Sequence, residues 1–540
     1  MALSRLAEAA RFARTVRHLR PAQIGHRIRL RTQRALVGRA PGPSQTLLSR
    51  GYPPAHGGWP EAFRPLDSRV TTPWPPPGLL GSGQIRLLGE DAPIGDWSGL
   101  GQPLLWRFHL HYWDWAWPLA ATRDHALFAR LFGSWRHHTT FGRGEAWAPY
   151  VASLRAWSWC GQFGPLVRGT AAESAFVAAL WDHTGFLRTH LELDVGGNHL
   201  VKNLKALIGL AVFFGDRSLV SATMSRLEQA VAVQVLSDGG HYELAPSYHC
   251  QVLGDLLDVS GLLSAIGESP PDWLTAATSR MRDFLGLVLL PDGTVPLFND
   301  GYPVPPDVLA VLEPGPPALP GATRLPDTGL VALRMGQLFV LADVGRPCPE
   351  HLPAHAHADT LSFLLYDGDQ RIVTETGTST YDPGARRDAE RSTRAHSTVE
   401  IDGTDSTEVW GAFRAGHRAR VNLIDCSLDG AALVLAAEHD GYRRLPGSPV
   451  HRRTWRLTPQ RLDVLDEVTG SGTHHVTVRL ILDPGLEAPG EQSFGGGWQT
   501  YLTEIAEGWQ RLALARVLHR RQSVALPWSH EFSYRRDGAQ

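Results

Sequence analysis

Cysteine is scarce in this chain, and none of its cysteines belongs to a paired motif. Cys160, Cys250, Cys348 and Cys426 are scattered over 540 residues without a CxxC pair. Thiolate metal sites and disulfide frameworks need cysteines at short, regular spacings. The sequence therefore predicts four free thiols and excludes a disulfide-stabilised scaffold.

Long apolar runs are also missing. No stretch of 18 or more apolar residues occurs, which is about the length that a membrane-spanning helix needs. The basic N-terminus, "MALSRLAEAARFARTVRHLRPAQIGHRIRLRTQRAL", lacks the continuous apolar segment of a secretory signal. We expect no membrane span and no ordinary signal peptide, so the sequence predicts either a cytoplasmic protein or export by a route that it does not show.

Charge of one sign is not in excess, since the formal net charge is -2. Nucleic-acid-binding domains are usually strongly basic, so no nucleic-acid partner is predicted. A composition of 43% hydrophobic and 20% charged residues is globular, and 540 residues imply two or more domains. Arg11, Arg14, Arg17 and Arg20 are typical of an amphipathic helix, packed on its own domain or lying on a membrane surface.

Residues 1–315 are predicted to form a helical domain. Five segments carry apolar residues at three- and four-residue spacing: 122–141, 171–193, 197–215, 217–236 and 269–290. Glycine and proline separate them. Stacked helical hairpins, closed into an (α/α) toroid or left as an open solenoid, produce this pattern.

The period of the apolar pattern changes beyond the segment "EPGPPALPGATRLPDTG", 313–329, which is too rich in proline and glycine to hold a helix. After it, apolar residues alternate with polar ones, and Gly/Asp turns separate the runs. Strand after strand without an intervening helix predicts antiparallel sheets. We therefore expect residues 325–540 to form an antiparallel β-sandwich domain.

Two polar clusters interrupt the helical half. In "VGGNHLVKNLKAL", 195–207, Asn198 stands where a helix N-cap is expected and is followed by His199. The pair either caps the helix at the surface or projects an amide and an imidazole into a cleft.

The second cluster is "DGGHYELAPSYHCQVLGDLLD", 238–258, which brings His241, Glu243, Tyr248 and His249 together. Because Pro246 precedes a helical run, Tyr248 is predicted in the first turn of that helix. The positive end of the helix dipole is expected to favour the phenolate there. The alternative is that Tyr248 is an aromatic packing residue.

The β half contains its own cluster in "HLPAHAHADTLSFLLYDG", 351–368. His355, His357 and Asp359 share one side of a strand if the extended run begins that early. Glu375 and His396 lie near the ends of neighbouring predicted strands. Two imidazoles and a carboxylate, from His357, Glu375 and His396, are a ligand set suited to Zn²⁺ or Mn²⁺.

Groups suited to an acidic sugar occur elsewhere. Arg391 and Arg394 end the loop before His396 and are predicted to clamp substrate carboxylates. The aromatic-rich segment "LLWRFHLHYWDWAWPLA", 104–120, and "SLRAWSWC", 153–160, belong partly to the core and partly to the floor of a sugar cleft. The predicted substrate-contacting residues are Trp106, His109, His111, Tyr112, Arg155, His241, Glu243, His249, Arg391 and Arg394.

In this order and spacing, "GGNH", "DGGHYELAPSYH", "FNDG" at 298–301, "HAHADTLSF" and "RAHSTVEIDG" resemble the heparinase II/III-like family of polysaccharide lyases. "TVRHLRPAQIGHRIRLR" and "WRFHLHYWDW" resemble the N-terminal part of its bacterial members, so the resemblance spans nearly the whole chain. It implies an (α/α) toroid followed by antiparallel sheets, and β-elimination from a 4-O-linked uronic acid without an organic cofactor. The substrates it implies are glycosaminoglycans such as hyaluronan, chondroitin and heparan, or alginate or a bacterial exopolysaccharide.

The resemblance also implies roles for individual residues. Asn198 would neutralise the substrate carboxylate, and Tyr248 would protonate the leaving oxygen and serve as base for one epimer. His199 and His355 would accept the C5 proton of the other epimer. A structural metal ion would be held by His357, Glu375 and His396. Relatives often carry Asp at the position of Glu375, and one branch carries Glu at that of Lys202.

Two other functions stay open on the sequence alone. A metal-dependent hydrolase also uses HxHxD, but here Asp359 is followed by Thr360 and the motif lies in an all-β run. A non-catalytic exopolysaccharide-binding or biosynthesis protein is the other alternative, although Asn198, Tyr248 and His355 are all present. We expect an acidic polysaccharide as partner, and a monomer or a homodimer.

Overall fold

A computed structural model describes residues 2–51, 53–69, 77–486 and 493–536. The chain is helical up to residue 312 except for one small hairpin, and mainly antiparallel sheet from residue 321 onward. The helices before the sheets are α1 (Ala2–Val16), α2 (Pro21–Arg39), α3 (Pro41–Ser49), α4 (Pro77–Gly81), α5 (Leu104–Leu110), α6 (Trp117–Thr122), α7 (His125–His138), α8 (Pro149–Leu166), α9 (Glu173–Thr189), α10 (Gly197–Phe213), α11 (Arg217–Gln234), α12 (Pro246–Ala265), α13 (Asp272–Val288) and α14 (Pro306–Leu312). The hairpin is β1 (Gln84–Leu87) and β2 (Glu90–Pro93).

The predicted helices begin and end where the sequence provides caps and breakers. Asp124 caps α7 by accepting a hydrogen bond from Leu127 N at 3.0 Å, and Asp216 caps α11 through Leu219 N at 2.9 Å. Helix α10 lies at the centre of this half and packs against α8, α9, α11 and α12. One continuous apolar core joins these helices. Together they form the (α/α) toroid that the spacing predicted.

The sheet half contains β3 (Gly321–Leu325), β4 (Leu330–Met335), β5 (Leu338–Asp343), β6 (Phe363–Asp367), β7 (Gln370–Val373), α15 (Ala385–Arg391), β8 (Val399–Ile401), β9 (Val409–Trp410), β10 (Arg414–Ala415), β11 (Val421–Asp429), β12 (Ala432–His439), β13 (Val450–Leu457), β14 (Arg461–Thr469), β15 (Thr473–Ile481), β16 (Gln499–Gly508), β17 (Arg511–Ala525) and β18 (Trp528–Arg535). The three larger sheets have the orders β3-β4-β5-β6-β7, β11-β12-β13-β14-β18 and β16-β17-β15-β8, and every pairing is antiparallel.

The β3–β7 sheet is buried on both faces and joins the two halves. Alternate residues of β5 point in opposite directions. Phe339 packs on one face with Phe284 of α13, whereas Val340 packs on the other with Trp455 of β13. This sheet therefore fixes the toroid against the rest of the sandwich through ordinary apolar burial.

The structure corrects two local expectations. Strand β6 begins only at Phe363, so His355, His357 and Asp359 lie in a turn-rich loop and not along one side of a strand. Leu361 has a φ of 62°, which a continuous strand does not allow. Asn198 is the second residue of α10, and Gly196 occupies the N-cap position.

The N-terminal helix docks on the sheet half instead of its own domain. Arg14 of α1 donates two hydrogen bonds to the Glu408 carboxylate, one of them 2.9 Å long. Trp410 Nε1 donates to Thr15 Oγ1 at 3.0 Å. The basic face of α1 is therefore partly used inside the molecule. In the part of the chain that the structure describes, no helix is both long and apolar enough to cross a membrane, and all four cysteines are free, as predicted.

Candidate functional site

The candidate site begins with two stacked rings, one from each half of the molecule. Tyr248 lies in the first turn of α12, as Pro246 predicted, and His355 comes from the loop before β6. Their ring centroids are 4.0 Å apart, with the planes inclined by 30°. The helical half and the sheet half therefore meet at this pair.

The phenol of Tyr248 is held in its protonated form. Its Oη lies 2.5 Å from the Oη of Tyr381. Burial, followed by the neighbouring Tyr381, Tyr302 and Asp300, raises the pKa of Tyr248 well above its ordinary value. The phenolate expected from the helix dipole is therefore not the resting form, because burial outweighs the dipole. A protonated phenol in this position is suited to donating a proton.

The Asp300 carboxylate connects His355, His357 and Arg387. Its Oδ2 lies 2.8 Å from His355 Nδ1, and its Oδ1 lies 2.9 Å from His357 Nε2. Arg387 binds both oxygens, with its NH2 donating to Oδ2 at 2.7 Å. Although burial opposes ionisation, the Arg387 charge and these hydrogen bonds hold the pKa of Asp300 well below its usual range. The carboxylate binds Nδ1 and so fixes the orientation of His355, whose Nε2 faces Glu243.

Glu243 connects His355 to Asn198. Asn198 Nδ2 donates to Glu243 Oε2 at 3.0 Å, and Glu243 Oε1 lies 4.0 Å from His355 Nε2. Gly197 is required beside it, because a Cβ there would fall 2.0 Å from Glu243 Oε1. Asn198 Nδ2 also donates to Glu243 Oε1 at 3.3 Å, so both oxygens of the carboxylate accept from the amide. Glu243 therefore positions the amide donor next to the stacked rings.

His199 marks the open side of the site. Its Nδ1 lies 3.1 Å from Glu192 Oε1, and about a third of its side chain is exposed (35%). Burial lowers the pKa of His199, but the Glu192 charge and hydrogen bond outweigh it, so the pKa is raised. The ring lies 4.4 Å from that of Tyr150. Tyr112 and His109 continue this row, with centroids 6.1 Å from Tyr150 to Tyr112 and 4.6 Å from Tyr112 to His109.

Several predicted substrate contacts are buried in the packed core instead. Arg155 has no exposed surface, bonds His183 Nε2 at 3.0 Å and the carbonyl of His111 at 3.1 Å, and lies over the ring of Trp135. His111 accepts from Trp135 Nε1 at 3.1 Å, so it belongs to the same cluster. Trp106 is 1% exposed and packs in the apolar core of this half. The segment 104–120 therefore builds the toroid core more than a sugar cleft.

The predictions for His249 and Arg391 also need correction. His249 Nε2 lies 3.0 Å from the carbonyl of Met281 and its ring packs on Phe284, so it faces away from the stacked pair. Arg391 is fully buried and donates to the carbonyls of Ala356, Gly411 and Arg414. Those bonds fold the loop and leave no group for a substrate carboxylate. Arg394 is exposed at the surface.

His241 supports the site from behind. Its Nδ1 lies 3.5 Å from Glu243 Oε2, and its Nε2 lies 3.1 Å from Gln234 Oε1. It is 2% exposed. Its contact is with Glu243, so we assign it to positioning that carboxylate and not to binding a ligand.

Sequence reasoning missed several groups of this site. Asp300 lies within the "FNDG" segment, and an acidic residue flanked by Asn and Gly was a usable signal. Tyr381 and Arg387 lie in the long loop between β7 and β8, where nothing in the sequence distinguishes them from their neighbours. Arg387 stands 4.9 Å over the Tyr381 ring, so the loop is folded onto the site.

The predicted metal ligands lie close together. His396 Nδ1 is 2.5 Å from Glu375 Oε2, and the rings of His357 and His396 are 5.3 Å apart. In the described ranges, no group of three or more His, Cys, Asp or Glu side chains has the arrangement of a metal site. Buried atoms without a hydrogen-bond partner nevertheless remain here: His357 Nδ1, Asp359 Oδ1, Glu375 Oε1 and His396 Nε2. Their chemistry fits a divalent ion, and the metal site stays a prediction.

Comparison with known proteins agrees with this geometry. A model of the heparinase II/III N-terminus matches residues 133–312, and a model described as heparinase II/III-like, C-terminal, matches residues 317–529. The chain belongs to the heparinase II/III-like family.

Individual members of this family and its structural neighbours are distant. FtsZ-localized protein C of Caulobacter vibrioides is 30% identical over 353 residues, which are 61% of this chain and 57% of that protein. A heparin-sulfate lyase of Pedobacter heparinus is 24% identical over 238 residues, or 40% of this chain and 35% of that one. The match thus spans less than two thirds of either relative.

A crystal structure of heparinase III shares the fold. It superposes with a TM-score of 0.67 at 15% identity, over 83% of this chain and 79% of the other. The likeness supports a toroid followed by a β-sandwich, as the change of apolar period predicted.

Proposed function

We propose that this heparinase II/III-like protein is a polysaccharide lyase that cleaves 4-O-linked uronic-acid polysaccharides by β-elimination. The observation that carries the proposal is the stacked Tyr248–His355 pair, with His355 oriented by Asp300. Family membership supports the class of reaction, and the name of the Pedobacter relative supports glycosaminoglycans as first substrates to test.

The residues supply each requirement of the elimination. The C5 proton of a uronate becomes acidic only when the charge developing on its carboxylate is stabilised. We assign this role to the Asn198 amide, which would exchange its bonds to Glu243 for bonds to the substrate carboxylate. His355 Nε2 accepts the C5 proton. The C5–H electron pair forms the C4–C5 double bond as the C4–O bond breaks. The Tyr248 phenol then donates its proton to the leaving oxygen, so charge and protons balance.

The protonated state of Tyr248 limits which residue can remove the C5 proton. Because the pKa of Tyr248 is raised, Tyr248 is suited to acid catalysis and poorly suited to removing the C5 proton. His355 is therefore the preferred base in this proposal. His199 has a raised pKa and a partly exposed ring, so its cationic form is better suited to attracting the polymer's carboxylates than to accepting a proton.

Access to the site requires movement. Tyr248 and His355 are only 7% and 8% exposed. Trp509, at the tip of the β16–β17 hairpin, lies 4.8 Å from the Tyr381 ring and 5.5 Å from the Tyr302 ring. We propose that this hairpin tip shifts when a polymer chain enters, as loops that close active sites do.

The direct test is an elimination assay. Purified protein is incubated with hyaluronan, chondroitin, heparan, alginate and acidic exopolysaccharides, and the ultraviolet absorbance of the 4,5-unsaturated uronate is followed. A new unsaturated end on at least one polymer supports the proposal. Cleavage with reducing ends but no unsaturation would favour a hydrolase instead.

A second candidate is a protein that binds acidic polysaccharide without cleaving it. It is favoured by the Caulobacter relative, which is named for localisation at FtsZ and not for an activity. Polymer binding by calorimetry, without any unsaturated product from the whole polymer set, would support this candidate and contradict the lyase.

His199 gives a prediction with a definite pH dependence. A raised pKa means that the imidazolium is fully present below the ordinary His value and is lost as pH rises through the raised value. We expect KM for an acidic polymer to rise across that interval. His199→Gln should raise KM at low pH by roughly tenfold, flatten its pH dependence and change kcat less.

The measurement is KM and kcat as a function of pH for the parent and for His199→Gln. His475→Gln on β15, far along the chain from this cluster, is the control and should keep the parent profile. A large fall in kcat with unchanged KM would instead make His199 part of the chemistry.

The metal prediction is tested by composition and stability. We propose that His357, Glu375 and His396 hold one Zn²⁺ or Mn²⁺ that orders the loops of the sheet half, since each has a buried atom without a partner. After dialysis, the parent should retain about one equivalent of metal. Chelation should lower Tm, because it leaves buried polar atoms unpaired at a cost of about 1–3 kcal/mol each.

His396→Ala should lose the metal and the effect of the chelator on Tm. The control is His474→Ala, since His474 pairs with Asp402, which follows β8 at the end opposite to His396. If the parent protein binds neither Zn²⁺ nor Mn²⁺ and the chelator leaves its Tm unchanged, the site is a metal-free polar cluster.

A further inference from the structure

A cavity that the stacked rings do not line lies mainly between helices of the helical half. It occupies about 640 Å³ between α2, the end of α9, the start of α10 and α11. Cavities of this size hold small organic ligands in proteins. Gly196 and Tyr242 form part of its wall, but neither Tyr248 nor His355 lines it.

The cavity is lined by four arginines and by no acidic residue. Arg20, Arg29, Arg188 and Arg226 contribute from four different segments, and all are exposed. Within the part of the chain that the structure describes, none of them forms an ion pair. The nearby carboxylate of Asp194 is already paired with Arg27, at 3.2 Å. Unpaired arginines that converge on one cavity favour an anionic group.

This positive charge is a local property of the molecule. The first 60 residues contain eleven arginines and one acidic residue, Glu8, although the whole chain has a net charge of -2. The charge affects a neighbouring group as well. Burial and then Arg20, Arg418 and Arg346 lower the pKa of His351, another lining residue, to about 4.

The floor of the cavity is aliphatic. Leu191, Leu204 and Ala230 are buried beneath it, and Val233 is 54% exposed at its edge. These four aliphatic side chains form no hydrogen bonds, so the floor favours an alkyl chain over the hydroxyl groups of a sugar. Polar side chains, Gln33 and Gln229 among them, line other parts of the cavity. The floor and the arginines together select a ligand with an acidic group joined to an aliphatic chain.

We propose that this cavity binds an anionic amphiphile, with the acidic head held by Arg20, Arg29, Arg188 and Arg226 and the aliphatic chain on the floor between α10 and α11. The proposal does not depend on the lyase activity, because the cavity and the stacked rings share no side chain. A charged head and an apolar chain are both required for tight binding.

Calorimetric titration of the full chain tests this. The probes are dodecyl phosphate and dodecyl maltoside, both below their critical micelle concentrations, and inorganic phosphate. Dodecyl phosphate should bind at least about tenfold more tightly than either of the others, because each of those lacks one half of the ligand. Equal binding by inorganic phosphate or by dodecyl maltoside, or no binding of dodecyl phosphate, would overturn the proposal.

Paired variants locate the site. Arg29→Gln/Arg226→Gln removes two lining charges and should weaken dodecyl phosphate binding by about tenfold or more. The matched control is Arg31→Gln/Arg217→Gln, which removes two exposed arginines from the same helices, α2 and α11, outside the cavity. An unchanged affinity in the first variant, or an equal loss in the control, would contradict binding in this cavity.

Discussion

Tyr248→Phe should lower kcat by about 10²-fold or more on every polymer that the parent cleaves. The substitution removes only the hydroxyl, so the 4.0 Å stack on His355 should persist. The phenol is protonated at rest, and its ring is the one that stacks directly on His355, with Tyr381 behind it as its hydrogen-bond partner. Without that proton, the C4–O bond must break to give a poorly stabilised alkoxide.

The partner phenol provides the matched control. Tyr381 Oη lies 2.5 Å from Tyr248 Oη. Tyr381 does not stack on His355, however, and it does not lie in the first turn of α12. Tyr381→Phe should therefore reduce kcat by less than about tenfold, through loss of one positioning hydrogen bond. Tyr366→Phe, in the β3–β7 sheet, should have no effect on kcat. Steady-state kinetics and Tm of all three variants make the comparison.

Two results would contradict this assignment. If Tyr248→Phe keeps rates near those of the parent, Tyr248 is a packing residue and the proposed mechanism fails at its centre. If Tyr381→Phe causes the greater loss while Tm is unchanged, Tyr381 delivers the proton and Tyr248 positions it.

The order of helices and strands could be predicted because each half repeats one apolar period. Burial alternates along β13 and β14, which have one buried face, whereas β4 and β5 are almost continuously apolar because both faces of their sheet are buried. The spacing in α10 and α12 reflects helices packed on several sides. Local sequence patterns gave wrong predictions where contacts between residues distant in sequence determine the backbone conformation. The loop at His355 is held by Asn299, whose Oδ1 accepts from His357 N at 3.0 Å, and no residue within the loop reveals that contact.

The site was predictable only in part for the same reason. Tyr248 and His355 stand in dense polar motifs, so residue type and spacing marked them as candidates, and the family resemblance implied their roles. Asp300 and Arg387 are 87 residues apart in sequence and meet only in the folded chain. For Arg391 the sequence suggested a binding role that the structure does not support. Its position suggested a substrate clamp, but its guanidinium donates to the backbone carbonyls of Ala356 and Gly411. Charge type alone does not distinguish a ligand-binding arginine from a structural one.

Asn198→Ala should lower kcat by about 10²–10³-fold on glucuronate, iduronate and guluronate polymers alike, since each must have its carboxylate charge stabilised. The amide acts on charge that develops during the reaction, so kcat should fall more than KM rises. Asn198→Asp tests the same point with nearly the same volume. It replaces the donor by a second carboxylate beside Glu243 and should be at least as inactive.

The control is Asn422→Ala, which removes an amide on β11 that bonds Glu438 at 3.3 Å. It should keep the kinetics of the parent. A substrate-dependent loss in Asn198→Ala, severe for one epimer and absent for another, would mean that Asn198 recognises ring geometry and does not neutralise the carboxylate. A loss confined to KM would mean that the amide binds substrate and transition state equally, and the stabilisation of the developing charge would then have to come from His199, whose cationic form faces the open side of the same site.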